Sequence, residues 1–154
     1  MIAASVEIIG ASEVVQRLEG MAPRIHAAVK GSLDAWSTEL SAYIKESKLS
    51  GDPLHRRSGD LSRSVVPYRR DSGTTIEGGA GAGAGIPYAK IHEYGGTITA
   101  RNAPYLCFQT ADGRWHKVKS VVMPERSYMR TSFREQSAQG IAEVREAVKA
   151  AVLA

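Results

Sequence analysis

Four side chains able to move protons, bind a metal or stack on a base crowd one short stretch. Tyr88, His92, Glu93 and Tyr94 lie within Pro87-Tyr88-Ala89-Lys90-Ile91-His92-Glu93-Tyr94-Gly95-Gly96. A His beside a Glu offers a metal ligand and a general base. The spacing gives that chemistry little support. A zinc-protease helix needs a second His four residues on, where this chain has Gly96. The remaining histidines, His26, His55 and His116, are far away in sequence, and a site built from His92, Glu93 and His116 has no spacing to recommend it. The stretch reads instead as a strand entering a tight Gly95-Gly96 turn. Tyr88 and Tyr94, six apart, then share one strand face and anchor a sheet. Glu93, on the opposite face, is placed to accept hydrogen bonds from an arginine, Arg126 or Arg130.

Other candidates fail for physical reasons. Ser58, Asp60 and His55 sit close together on a basic loop, but no elbow motif surrounds the serine. Cys107, between Leu106 and Phe108, reads as a small buried hydrophobe rather than a nucleophile. Gly79-x-Gly81-x-x-Ala84 formally satisfies a dinucleotide fingerprint, yet Pro87 and a β-like segment follow where a helix must open. No acid stands about 20 residues on. The residues therefore point to no catalytic site, no cofactor and no metal.

Around these stretches the chain has 154 residues, enough for one domain that buries about two-thirds of its unfolded surface. One cysteine excludes an internal disulfide and fits a reducing compartment. No apolar run approaches the ~20 residues of a membrane span, and Met1 to Ser5 does not open a secretory signal. The net charge is +4, with Lys45, Lys48, Arg56, Arg57, Arg63, Arg69 and Arg70 clustered in one third of the chain. Such a stripe suits nucleic acid, an acidic partner or a solvated face.

The elements follow from periodicity. Ser5 to Gly10 reads as a strand, and Ser12 as the cap of a short helix that Gly20 and Pro23 interrupt. Pro23 opens a long helix, in which Ile25, Val29, Leu33, Trp36, Leu40, Tyr43 and Ile44 form one apolar stripe ending near Leu49. Ser58 or Asp60 caps a single turn that points Leu61 inward and Arg63 outward. Val65 to Tyr68 and Thr74 to Glu77 pair across Asp71-Ser72-Gly73. The alternating Gly/Ala run from Gly78 to Gly85 is bare enough for a helix or another backbone to approach closely. Thr97 to Thr99 is a short strand, and Tyr105–Thr110 pairs with Trp115–Val122 across Asp112-Gly113. From Ser127 the period turns helical, with Met129, Phe133, Ile141, Val144, Val148 and Val152 on one face and a loosening at Gly140. The fold class is α+β: an antiparallel sheet packed against a long N-terminal helix and a C-terminal helix.

Three segments, in this order, carry a resemblance. They are Arg57-Ser58-Gly59-Asp60-Leu61-Ser62-Arg63-Ser64, Tyr88-Ala89-Lys90-Ile91-His92-Glu93-Tyr94-Gly95, and Arg126-Ser127-Tyr128-Met129-Arg130 leading into the final helix. Together they resemble the neck, or tail-completion, family of long-tailed bacteriophages. That family's third motif usually has Pro where this chain has Ser127. The likeness spans nearly the whole chain, 1–154, as a single domain with a β-hairpin extension at about 100–124. It implies a structural virion protein without catalysis, made in the host cytoplasm. It would form a ring, a homohexamer, between the head-closure (connector) protein and the tail tube or tail terminator, with no membrane contact. A tail terminator, a minor tail protein or, in another class, a basic DNA-binding module are the alternatives. The expected assembly contacts are Arg56, Arg57, Arg63, Tyr88, Glu93, Tyr94, Arg126, Tyr128 and Arg130. Arg56 and Arg57 would reach an adjacent ring or the DNA in the lumen.

Overall fold

A computed structural model describes residues 11–51, 53–54, 58–82, 85–110 and 112–154. The strand expected at Ser5–Gly10, the side chain of the expected cap Ser12, and His55, Arg56 and Arg57 lie outside the described residues. The chain is α+β, as its pattern predicts. The first helix, α1 (Ala11–Tyr43), is 33 residues long and runs on into a π-helical turn, Ile44–Lys48. Then come α2 (Asp60–Ser64), β1 (Val66–Asp71), β2 (Ile76–Gly81), α3 (Ala89–Tyr94), β3 (Gly96–Thr99), β4 (Leu106–Gln109), β5 (Trp115–Val118), β6 (Ser120–Met123) and α4 (Met129–Leu153).

Four expectations need correction. No single sheet forms among the described residues; the strands make three two-stranded antiparallel ribbons, β1–β2, β3–β6 and β4–β5. The strand expected from Trp115 to Val122 breaks at Lys119, so β5 pairs back to β4 while β6 pairs with β3. Helix α1 passes through Gly20 and Pro23 without a break. Proline removes the bond to the Glu19 carbonyl, but that turn is exposed and water can replace the partner. Finally, α4 is continuous at Gly140. That glycine is buried, and a Cβ there would lie 2.6 Å from Nε1 of the Trp36 indole. It admits a large side chain rather than loosening the helix.

The core sits where α1, α4 and β2 meet. Trp36, Leu40, Ile44, Leu49, Leu54, Val65 and Tyr128 form one buried cluster, with Leu33, Leu61, Ala80, Ala82 and Met129 against it. Small residues let the backbones close in. The Ser37 hydroxyl donates to the Leu33 carbonyl at 2.6 Å, and Ser132 donates to Tyr128 at 2.6 Å, so both are buried with their polar atoms satisfied. Gly78 of β2 lies so close to α1 that a Cβ would meet Ser37 Oγ at 2.8 Å. The close approach expected of the bare Gly/Ala strand is realised at this point. Polar straps hold the β1–β2 ribbon along the helix: Asp71 pairs with Lys30 and His26, and Arg69 with Asp34.

Candidate functional site

The chemistry-rich stretch around Glu93 is a helix, not a strand. Residues Ala89–Tyr94 form α3, which ends at Gly95 with φ +67°. Only glycine fits there without strain, and a Cβ would also lie 2.8 Å from the backbone N of Glu125. The expectation that Tyr88 and Tyr94 share a strand face and anchor a sheet is therefore wrong. Both are exposed; Tyr88 meets the His92 ring edge-on, and Tyr94 lies under Arg130. The pattern misled because one short helical turn, closed by a glycine, resembles a strand in so few residues.

Close approach of two segments of the chain at Gly95 lays residues 123–130 across the end of α3. The Arg126 N–H donates to the His92 carbonyl at 2.8 Å. Glu93, only 5 % exposed, then points at the first turn of α4. Its carboxylate accepts from the backbone N–H groups of Tyr128 (2.9 Å), Met129 (2.9 Å) and Arg130 (3.0 Å). It also accepts from the Ser127 hydroxyl at 2.8 Å and from Nε of Arg130 at 3.0 Å. Glu93 thus caps a helix from 35 residues upstream, meeting orphan donors and the positive end of the helix dipole together. Arg130 is fixed in turn by the Glu93 carbonyl, by the Glu125 carboxylate at 2.7 Å, and by the Tyr94 ring, 4.6 Å from its guanidinium.

Of the two arginines expected at Glu93, Arg130 is the partner. Arg126 contributes its backbone to α3, and its charge, after burial, helps hold the His92 imidazole below its ordinary range. Burial pushes the Glu93 carboxyl up, but the N–H groups of Met129 and Arg130, the Ser127 hydroxyl and the Arg130 guanidinium outweigh it, leaving it below the usual range. Tyr128, buried beside this charge, is pushed up to about 12, mainly by burial. A carboxylate held ionised with both oxygens occupied cannot serve as a base near neutral pH. The arrangement is a latch between segments. Ser127, the departure from the resembled pattern, takes part in it with its hydroxyl.

The other candidates lie apart from the latch. Ser58 donates to Asp60, which also binds Arg63, while Gly59, with φ +80°, takes the cap position of α2. The turn forms as expected, with Leu61 half-buried and Arg63 exposed; Ser58 stands one residue before the cap position, and its Oγ accepts from the N–H of Asp60, the first residue of α2, at 3.4 Å. Cys107 is exposed, contrary to expectation, because among the described residues no other element packs extensively on the β4–β5 ribbon. His116 stacks on Phe108 at 5.5 Å, and no group of three or more potential metal ligands occurs among the described residues. The nucleotide fingerprint is followed by a six-residue helix rather than the β-like segment expected, and it still lacks the acid. An open groove of ≈ 400 Å³ between α1 and the β1–β2 turn is lined by Ile25, Val29 and Ile76, with His26 already bound to Asp71.

Three members of the basic stripe have a carboxylate partner within the fold. Lys48 pairs with Glu135 at 2.9 Å, Arg69 with Asp34 at 3.1 Å, and Arg63 with Asp60. No helix among the described residues is long and apolar enough to cross a membrane. Compared with known protein families, characterised proteins and solved structures, the chain matches none significantly.

Proposed function

We propose that this chain is a structural virion protein of a long-tailed bacteriophage, forming a ring at the head–tail interface. The observation that carries the reading is the convergence of the three segments on which the resemblance rests. Glu93, from the second, is bound by Ser127, Tyr128, Met129 and Arg130 of the third. Leu61 of the first, and Val65 just after it, pack in the same core cluster as Tyr128. Motifs spread over 74 residues of sequence are thus one structural unit, as parts of a shared fold signature should be.

Two further features favour assembly over catalysis. The one buried carboxylate among the described residues is saturated by structural donors. Val14, Val15 and Leu18 on α1, and Val122 on β6, are exposed, which suits a subunit covered by neighbours. In a ring such surfaces meet head to tail, one patch against a different patch of the next copy. A homohexamer between the head connector and the tail tube or terminator accommodates them; tail terminator and minor tail protein are variants of the same reading.

Electron microscopy of lysates from a phage with this gene interrupted tests the proposal. DNA-filled heads beside separate tails are expected. Intact, infectious particles would overturn it.

A further inference from the structure

A second positively charged stretch lies where the sequence pattern does not draw attention. Residues 96–123 contain Arg101, Arg114, Lys117 and Lys119 against one acid, Asp112, a net charge of +3. They fold as two successive ribbons, β3–β6 and then β4–β5, the second carrying the Asp112-Gly113 turn at its tip. Because opposite residues of an antiparallel pair share a face, Gln109 and Trp115 stand together, as do Cys107 and Lys117. All four are exposed, and the Trp115 indole is 74 % exposed. Tyr105 joins this face through Lys117, whose ammonium lies 4.6 Å from its ring. Phe108 stacks on His116 on the other face. Asp112 engages Arg114 at the tip, while no carboxylate pairs with Lys117, Lys119 or Arg101 among the described residues.

We infer that this face of the arm binds single-stranded nucleic acid, with Lys117 on the face, and Lys119 and Arg101 near the junction of the two ribbons, meeting phosphates and Trp115 stacking on an unpaired base. A cationic track combined with a solvent-facing aromatic ring is the arrangement that single strands require. Buried protein interfaces are depleted in lysine, so an acid-free face carrying Lys117 beside an indole fits a polyanion better than another folded protein. A duplex keeps its bases stacked and would leave the indole without a partner. The inference does not rest on the head–tail reading, and the two fail separately: oligonucleotide binding is measured on purified protein, particle joining in lysates.

The test uses the purified full chain and an oligo(dT) strand of about 12 nucleotides, read by indole fluorescence. Trp36 is buried, so a change on binding reports Trp115. Saturable quenching at about 50 mM salt is expected, weakening with a log–log salt slope of about −2 for three phosphate contacts. Read by anisotropy of a labelled strand, Trp115→Ala weakens binding ~10-fold or more. The double reversal Lys117→Glu, Lys119→Glu abolishes it, while Arg17→Glu, Arg145→Glu, which removes equal charge from exposed positions on the helices, keeps most of it. Circular dichroism checks that each variant is folded. The proposal is overturned if wild type does not bind, if the arm variants bind as wild type, or if a duplex of the same length binds as tightly. Absence of oligonucleotide binding together with an arm-dependent change in mass by light scattering would assign the face to a protein interface instead.

Discussion

The latch at Glu93 and the arm at 96–123 are neighbours in sequence, joined through Gly95, yet they treat polar side chains in opposite ways. At the latch the central charges have fixed partners: Glu93 with Arg130 and three backbone donors, and Arg130 with Glu125 and Tyr94. On the arm, Lys117 and Lys119 have no carboxylate partner among the described residues, and the largest aromatic ring faces solvent. Secondary-structure propensity does not separate the two. What differs is cover: the latch lies at the foot of α4 against the core, whereas no helix packs broadly on the β4–β5 ribbon. A two-stranded ribbon of four-residue strands has little core of its own. Residues placed there are available to other molecules, whereas the Glu93 carboxylate of the latch is buried and already engaged.

Removing the latch carboxylate should have the largest effect. Glu93→Ala leaves three backbone N–H groups of α4 without their acceptor and takes one partner from Arg130. We expect a loss of about 3 kcal/mol in urea unfolding at neutral pH, discounted from the full cost of a broken buried pair because Arg130 is half exposed. The pH dependence has a definite sign. The carboxyl is held below its ordinary value in the folded protein, so its contribution is complete above the unfolded value of ~4.3 and disappears as the pH falls through the folded one. The gap between wild type and Glu93→Ala should therefore stay constant from neutral pH to about pH 5 and close in more acid solution. A gap of the same size at every pH would mean that packing, not the ionised carboxylate, holds α4 in place.

A second break tests the core side by steric means. Alanine normally favours a helix over glycine by about 1 kcal/mol, so Gly140→Ala should stabilise α4 if that position were merely loose. The Trp36 indole already occupies the space a Cβ needs, with three ring atoms within 2.8 Å of it. Trp36 is also tied by its Nε1–H to the Gln136 carbonyl at 3.2 Å, so it cannot turn away freely. The expected outcome is a net loss of about 1–2 kcal/mol, read as a lowered thermal midpoint. A raised midpoint would show that the two helices separate easily there.

These residues also mark what was legible in the sequence. The apolar stripe from Ile25 to Ile44 gave the spine, and Asp71-Ser72-Gly73 and Asp112-Gly113 gave two ribbon turns, since both signals are local. The partnership of Glu93 with a downstream arginine was legible from their charges. Its main acceptor role was not, because backbone N–H groups at a helix start carry no letter in the sequence. Gly140 looked like a weakness because propensity describes an isolated helix, and the deciding neighbour, Trp36, is 104 residues away. Cys107, set between Leu106 and Phe108, looked buried because alternation shows which residues share a face, not whether anything covers it. Which members of the basic stripe are paired was not legible for a related reason: Glu135 and Asp34, the partners of Lys48 and Arg69, come from other parts of the chain.

The smallest expected effect is on the arm, and its smallness is informative. Trp115→Ala deletes one of the two largest side chains of the protein, a change that costs about 3–5 kcal/mol when the ring is buried. Trp115 is not buried, and its cross-strand partner Gln109 is held independently by the Gly113 carbonyl at 2.8 Å. The ribbon keeps its Phe108–His116 stack on the opposite face and its ladder hydrogen bonds. Unfolding of the isolated chain should therefore shift by no more than about 0.5 kcal/mol. A loss above ~2 kcal/mol would mean that the indole already packs within its own chain, and the contrast between latch and arm would dissolve. An unchanged midpoint means that so large an exposed ring contributes nothing to this fold and is free to meet a molecule other than the chain that carries it.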